Sequence, residues 1–357
     1  MSFPLAEWID RHARCRHNLA NSGMIGTIPP PIPTSHEIRS ADPEELCERL
    51  AEDLHVDARR LFLTTGASQA NSLAVIFLAR SGEGRARSKA CRVCFPEYPP
   101  LFDVARWAGF RPTSSVGAAE LAVISQPRNP EGDLWDRGRF LDWCSGARSV
   151  LVDETFREFA GTRSLLDIGR PGPWVSGSFT KFYAADPIRV GFLVVPDEEA
   201  PRFATFHGVV ANLLSSFSVA GALRALRDRE TTRKRVRALM EANRAAVRAA
   251  WPDARPPLGP VMFDRPASGE GGDALANRAL DASVLVCPGS YFGDPTGVRI
   301  CLTRRSFPQD LEAYLRIRDG VPERRTRTVG RRAATARFAP RRPGGTGRAR
   351  ASPSSRD

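Results

Sequence analysis

Lysine is almost missing from this sequence. Of 52 basic side chains in 357 residues, only Lys89, Lys181 and Lys234 are lysines. Arginine is always protonated, so chemistry that needs a free amine has three places to occur. Tyrosine is nearly as scarce, confined to Tyr98, Tyr183, Tyr291 and Tyr314. Long apolar runs are lacking as well; the longest, around residues 72–79, is far too short to cross a bilayer. Acidic residues interrupt MSFPLAEWIDRHAR where a secretory leader needs an apolar stretch. Cysteine occurs seven times, an odd number scattered along the chain, which argues for reduced thiols in a cytosol rather than a disulfide framework. Cys91 and Cys94 form a lone CxxC with no second Cys or His pair to complete a zinc site, and Arg92-Val93-Cys94-Phe95 reads as a buried strand. These absences lead us to expect a cytoplasmic, metal-free protein without a membrane span.

What is present is a composition with 42% hydrophobic and 26% charged residues, enough for a sizeable globular core. The net charge is +12, but residues 321–357 hold eleven arginines against Glu323 and Asp357, so nine of those charges sit in the tail. The rest is close to neutral, and the overall charge says little about its partners. The tail is rich in Arg, Ala, Pro, Gly, Ser and Thr and cannot bury a core, so it reads as a disordered extension; a nucleic-acid-binding arm is the alternative.

Between about residues 43 and 195 helical and strand patterns alternate, as in a mostly parallel α/β sheet. Asp42-Pro43-Glu44-Glu45 starts a helix with a capping side chain, a proline and acids in the first turn. Strands are expected at 61–63, 93–95, 121–125, 150–153, 174–178 and 190–195, with helices at 67–79, 99–108 and 137–144. A long Ala, Leu and Arg run over 218–250 is suited to joining two domains. Strands at 261–263, 284–286 and 298–302 with helices at 273–281 and 308–317 read as a small α+β domain. The expected division is an N-terminal segment (1–40) that joins the small domain, a large domain (41–225), a small domain (226–320) and the tail (321–357).

Lys89 lies in a polar loop and Lys234 in a basic helical stretch, but Lys181 follows an apparent strand in Ser178-Phe179-Thr180-Lys181, with Arg189-Val190-Gly191 beyond it. This stretch resembles the lysine signature of class I/II pyridoxal-phosphate aminotransferases, which are fold type I enzymes; Pro187 departs from the small residue, Asn or Arg usual there. The resemblance implies that Lys181 holds pyridoxal 5'-phosphate as a Schiff base and that Ser178 and Arg189 bind its phosphate. Other matches follow in the family's order over residues 15–318. Thr65-Gly66-Ala67-Ser68 resembles the phosphate loop at a strand-to-helix junction, where free N–H groups favour an anion. Tyr98 matches the aromatic that stacks on the cofactor ring. Asn129 in Arg128-Asn129-Pro130-Glu131-Gly132 matches the residue that hydrogen-bonds the phenolic oxygen. Asp153, ending Val150-Leu151-Val152-Asp153, matches the carboxylate that keeps the ring nitrogen protonated. Arg299, in an otherwise apolar strand, matches the arginine that grips the substrate α-carboxylate. Asn21-Ser22-Gly23-Met24 resembles the segment that closes over the same carboxylate.

The nearest branch, by length and by Ser218-Val219-Ala220, is that of histidinol-phosphate aminotransferases and threonine-phosphate decarboxylases. Cys287 stands where that branch carries an arginine for a substrate phosphate, which disfavours a phosphorylated substrate. No tyrosine lies between residues 30 and 45, where a neighbouring subunit's tyrosine for the cofactor phosphate belongs; His36 is the available substitute. Phe156, Tyr183, Phe217 and Tyr291 hint at an apolar or aromatic substrate. The resemblance implies transamination between an amino acid and a 2-oxo acid in a homodimer. The alternatives are a decarboxylase or lyase of the same fold, or a non-catalytic ligand sensor.

Phe156 also replaces the family's tyrosine, removing one hydrogen bond to the ionised phenolic oxygen, which should raise the pKa of the protonated imine. The long-wavelength form is therefore expected to persist to higher pH than in Phe156→Tyr. Spectral titration of both proteins checks this; an equal or higher pKa in the variant contradicts it.

Overall fold

The computed structural model describes residues 3–81, 89–115, 117–169, 172–211, 213–266 and 269–320. The expected 321–357 tail lies outside the described residues. From the N-terminal end, α1 (Pro4–Arg11) and β1 (His17–Asn18) lead to α2 (Ser35–Arg39) and α3 (Pro43–Leu54). Then come β2 (Leu61–Thr64), α4 (Ala67–Ser81), β3 (Ala90–Val93), α5 (Pro99–Trp107), β4 (Arg111–Thr113) and β5 (Ala119–Ser125). The chain continues through α6 (Arg137–Cys144), β6 (Ala147–Asp153), α7 (Arg157–Ala160), β7 (Trp174–Ser178) and β8 (Gly191–Val194). Helices α8 (Ala200–Val210), α9 (Ser216–Arg227) and α10 (Arg229–Ala250) precede β9 (Val261–Asp264) and α11 (Gly272–Asp281). Last are β10 (Val284–Leu285), β11 (Cys287–Pro288), β12 (Val298–Cys301) and α12 (Phe307–Arg318).

Seven strands form the large sheet in the order β2-β8-β7-β6-β5-β3-β4. All neighbours are parallel except β8, which runs antiparallel to both β2 and β7. The central strands are apolar on both faces, as a sheet covered by helices on each side requires. In β5, Leu121 and Val123 face a core with Leu73, Phe77, Leu101 and Phe203 of α4, α5 and α8, whereas Ala122 and Ile124 face the core of α3, α9 and α10. In β6, Val150 and Val152 share that second core and Leu151 the first. Two smaller sheets, β11-β12-β9 and β1-β10, come from the later part of the chain and its N-terminal segment. This is the α/β architecture expected: one large, mostly parallel sheet between helices and a smaller α+β part.

Two expectations shift. The strand expected at 93–95 runs over 90–93, ending two residues sooner because the Cys94 and Pro96 carbonyls accept from the buried Arg128 guanidinium instead of entering the sheet. The 218–250 run is two helices, parted at Asp228, and the first begins at Ser216 under the Ser215 cap.

The fold positions the site through strand ends. Thr64, Ser125, Asp153 and Ser178 are the last residues of β2, β5, β6 and β7, along the edge where open α/β sheets bind ligands. After β2 the chain turns into α4 through Gly66, whose φ of +120° is open to glycine but strained for other residues. Gly191 lets β8 approach that turn: a Cβ there would lie 2.5 Å from the Gly66 carbonyl carbon. Gly191→Ala is therefore expected to displace the Gly66 turn. Phe203 is fully buried against Phe62, Phe77 and Trp174, with ring centroids 4.8–5.4 Å away. Phe203→Ala should cost about 3–5 kcal/mol, read as a lower urea midpoint at constant slope.

Candidate active site

A cavity of about 320 Å³ opens at these strand ends. Its lining includes Gly66, Ala67, Ser68, Tyr98, Asn129, Asp153, Ser178, Lys181, Arg189 and Arg299, so the structure brings together ten of the eleven positions singled out from the sequence. The eleventh, Gly23, lies against Lys181: a Cβ on it would meet the Lys181 Cδ at 3.3 Å, and the Met24 N–H donates to the Lys181 carbonyl at 2.8 Å. The missing side chain of Gly23 leaves room for the lysine stem.

Asp153 is 5% exposed, and its two oxygens accept from the Asn71 amide (2.8 Å) and the Thr155 N–H (2.9 Å). Asn71 is fixed in turn by the Ser176 hydroxyl at 2.6 Å. Among the described residues no cation lies within ion-pair distance of Asp153, and a buried carboxylate without one is costly. Lys181 borders the cavity, and burial lowers the pKa of its ammonium; Asp186 opposes this, while Arg299 and Arg189 add to it. The shift is toward the free amine, the nucleophilic form. Burial pushes the Tyr98 phenol up to about 12, with Asp153 adding to the effect.

Arg299 is 2% exposed and pairs with no carboxylate among the described residues. Its donors go to neutral acceptors: the Asn129 amide oxygen (3.2 Å), the Ala20 carbonyl (3.0 Å) and the Cys287 sulfur (3.3 Å). Its Nε has no partner. The guanidinium thus keeps its charge for a ligand. Arg189, in the left-handed region at φ 57°, sets its guanidinium beside Gly66. With Gly66, Ala67 and Ser68 at the start of α4, whose first N–H groups favour an anion, and with Ser178, it lines one part of the cavity.

Sequence reasoning missed the supports. Asn71 is a polar residue on an otherwise apolar helix face, a signal in itself. Glu97, beside Tyr98, is fully buried and accepts from the Tyr98 N–H (2.6 Å), the Ser125 N–H (2.9 Å) and the Ser125 hydroxyl (2.6 Å). The Ser125 hydroxyl accepts from the Asn129 N–H at 2.8 Å, so one carboxylate fixes the backbone at both cavity positions. Also unforeseen were Thr155, whose buried hydroxyl lacks a partner, and the wall supplied by α1 with Phe3, Leu5, Ala6, Ile9 and Asp10. Of the four aromatic residues proposed for the substrate pocket, only Phe156 lines the cavity. Tyr183 is buried and accepts from Arg229, Phe217 packs on the core and Tyr291 packs near Trp8. His36 is exposed on α2, away from its own chain's cavity. Among the described residues no cluster could hold a metal ion, and Cys91 and Cys94 are free thiols.

The architecture is that of fold type I pyridoxal-phosphate transferases. The family model "Aminotransferase class I and II" matches residues 33–308, and the chain belongs to that family, close to its histidinol-phosphate aminotransferase branch. A histidinol-phosphate aminotransferase of Natronomonas pharaonis is 28% identical over 204 residues, 56% of each chain, so the match spans little more than half of that relative. An aspartate aminotransferase of Thermococcus kodakarensis is 27% identical over 75% of this chain and 76% of its own. In fold, the chain resembles a PLP-dependent aminotransferase from Streptococcus suis with a TM-score of 0.73 at 16% identity, covering 91% of this chain and all of the other.

Burial outweighs Arg128 and the three donors and pushes the Glu97 carboxyl up to about 7. The native state then holds a proton that the unfolded chain releases, so this group costs stability as pH rises from about 4.5 to about 7. Glu97→Gln should flatten that part of the stability profile, checked by urea midpoints across the same range.

Proposed function

We propose that the protein is a pyridoxal-phosphate-dependent aminotransferase acting on an amino acid and a 2-oxo acid. The observation that carries this reading is the buried Asp153 carboxylate, lacking a counter-cation, in one cavity with the amine of Lys181. The residues fit the cofactor: Asp153 for its ring nitrogen, Asn129 for its phenolic oxygen, Tyr98 against its ring, Lys181 for its aldehyde, and Gly66, Ala67, Ser68, Ser178 and Arg189 for its phosphate. When bound, the cofactor supplies an electron sink for a carbanion at the substrate Cα.

The chain's own groups do the rest. Arg299 receives the substrate α-carboxylate and fixes the orientation of the bonds at Cα. Lys181, whose ammonium burial destabilises, would hold the cofactor aldehyde and is the basic group placed to move the Cα proton. Asp153 holds a proton on its ring partner, and the Asn71–Ser176 pair keeps the carboxylate in place. Cys287, buried against Arg299 where the related branch carries an arginine, favours a substrate without a phosphate.

The units that carry this chemistry are the large domain over 41–225 and the small one over 226–320 with 1–40. A homodimer is part of the proposal: Trp107 and Leu213 are more than 90% exposed, large apolar side chains that a second copy would cover, and His36 is free to face it. A cytoplasmic setting agrees with seven free cysteines. No helix among the described residues is long and apolar enough to cross a membrane.

Borohydride reduction in the presence of pyridoxal phosphate should trap an adduct on Lys181, located by peptide mass spectrometry, and none in Lys181→Arg. In the unreduced, cofactor-loaded protein a single amino acid should convert the cofactor stoichiometrically to pyridoxamine phosphate. Regeneration of the aldehyde form would instead identify a decarboxylase or lyase. Arg299→Gln should raise the amino-acid KM ten- to hundredfold, as loss of a charged hydrogen-bond pair costs about 1.5–3 kcal/mol.

A further inference from the structure

Five acidic or basic residues line the cavity: Asp10, Asp153, Lys181, Arg189 and Arg299. On the aminotransferase reading, on which this inference rests, four of them are accounted for. Asp153 meets a ring cation, Lys181 the cofactor aldehyde, Arg189 a phosphate and Arg299 an α-carboxylate. Asp10 is left over. We propose that it receives a cationic group at the far end of the substrate side chain, so that the amino substrate is a basic α-amino acid with an ω-amino or guanidino group.

Three observations support the assignment. First, α1 is anchored with one face on the cavity. Leu5 is buried, and the Trp8 indole N–H donates to the Val286 carbonyl at 2.9 Å. Phe3, Ala6, Ile9 and Asp10, spaced at helical intervals, border the cavity, and the Phe3 ring meets Tyr98 edge-on at 6.1 Å. Second, Asp10 makes no side-chain hydrogen bond or ion pair within the described residues, and it sits in the last turn of α1 (Pro4–Arg11), where the helix dipole disfavours an acid. A charge placed against the local electrostatics, facing a ligand cavity, marks a functional position. Third, Phe3, Ala6 and Ile9 offer a wall suited to a methylene stem, while Asp10 is exposed at the mouth. The matching substrate is long and apolar along its stem, with the positive charge at its tip.

The test uses the holoenzyme with L-lysine, L-ornithine, L-arginine, L-norleucine and L-glutamate, measuring dissociation constants by calorimetry and conversion of the cofactor by absorbance. The basic amino acids should bind at least tenfold more tightly than norleucine, their neutral counterpart. Asp10→Asn should shrink that ratio at least fivefold, Asp10→Glu should retain part of it, and Asp10→Lys should turn the preference towards glutamate. A wild-type preference for norleucine or glutamate, binding of none of the five, or a ratio unmoved by Asp10→Asn overturns the proposal. Tight, Asp10-dependent binding of basic amino acids without cofactor conversion would leave it standing and overturn the transamination reading instead.

Discussion

The structure turns on a negative charge kept out of water. Asp153 ends a strand that is apolar on both faces, and its carboxylate accepts from an amide and a backbone N–H and meets no cation among the described residues. Desolvating an ion without a partner is among the most expensive things a fold can do. The expense is tolerable where a ligand completes the pair, and the same holds for Arg299 on the other wall. The cavity thus faces its ligand with unneutralised charges of both signs, held by residues that have little freedom to reorganise.

That rigidity comes from a layer behind the cavity. Ser176 holds Asn71, Asn71 holds Asp153, and Glu97 holds both the Tyr98 backbone and the hydroxyl that accepts from Asn129. Each link runs between neighbouring strand ends or from a strand to α4, so the precision of the site is inherited from the sheet. The reversed strand β8 adds to this by pressing Gly191 against the turn at Gly66.

Much of this was legible in the sequence. The alternation of strand and helix is strong because buried parallel strands are uniformly apolar, and a lysine in an arginine-rich chain stands out. Most of the ten cavity positions sit at a strand end, a turn or a helix start, where local chemistry shows in the motif, while Arg299 stands out as a charge inside the apolar strand β12. The supporting layer was not legible: Glu97, Ser125 and Asn71 act over long sequence separations, and only the fold brings them together. The aromatic hints failed for the opposite reason, since Tyr183 and Phe217 are core residues whose type alone does not tell packing from contact. The early end of β3 reflects bonding of loop carbonyls to Arg128 that periodicity does not encode.

The outer wall of the cavity is contiguous in the chain, whereas the groups that perform the chemistry are dispersed through it. Residues 3–10 supply one continuous stretch of that wall, held by the buried Leu5 and by the Trp8 indole N–H. Exchanging residues 3–10 would alter this wall while leaving the residues at the strand ends unchanged. Divergence of selectivity and conservation of reactivity can then proceed on separate stretches of the gene.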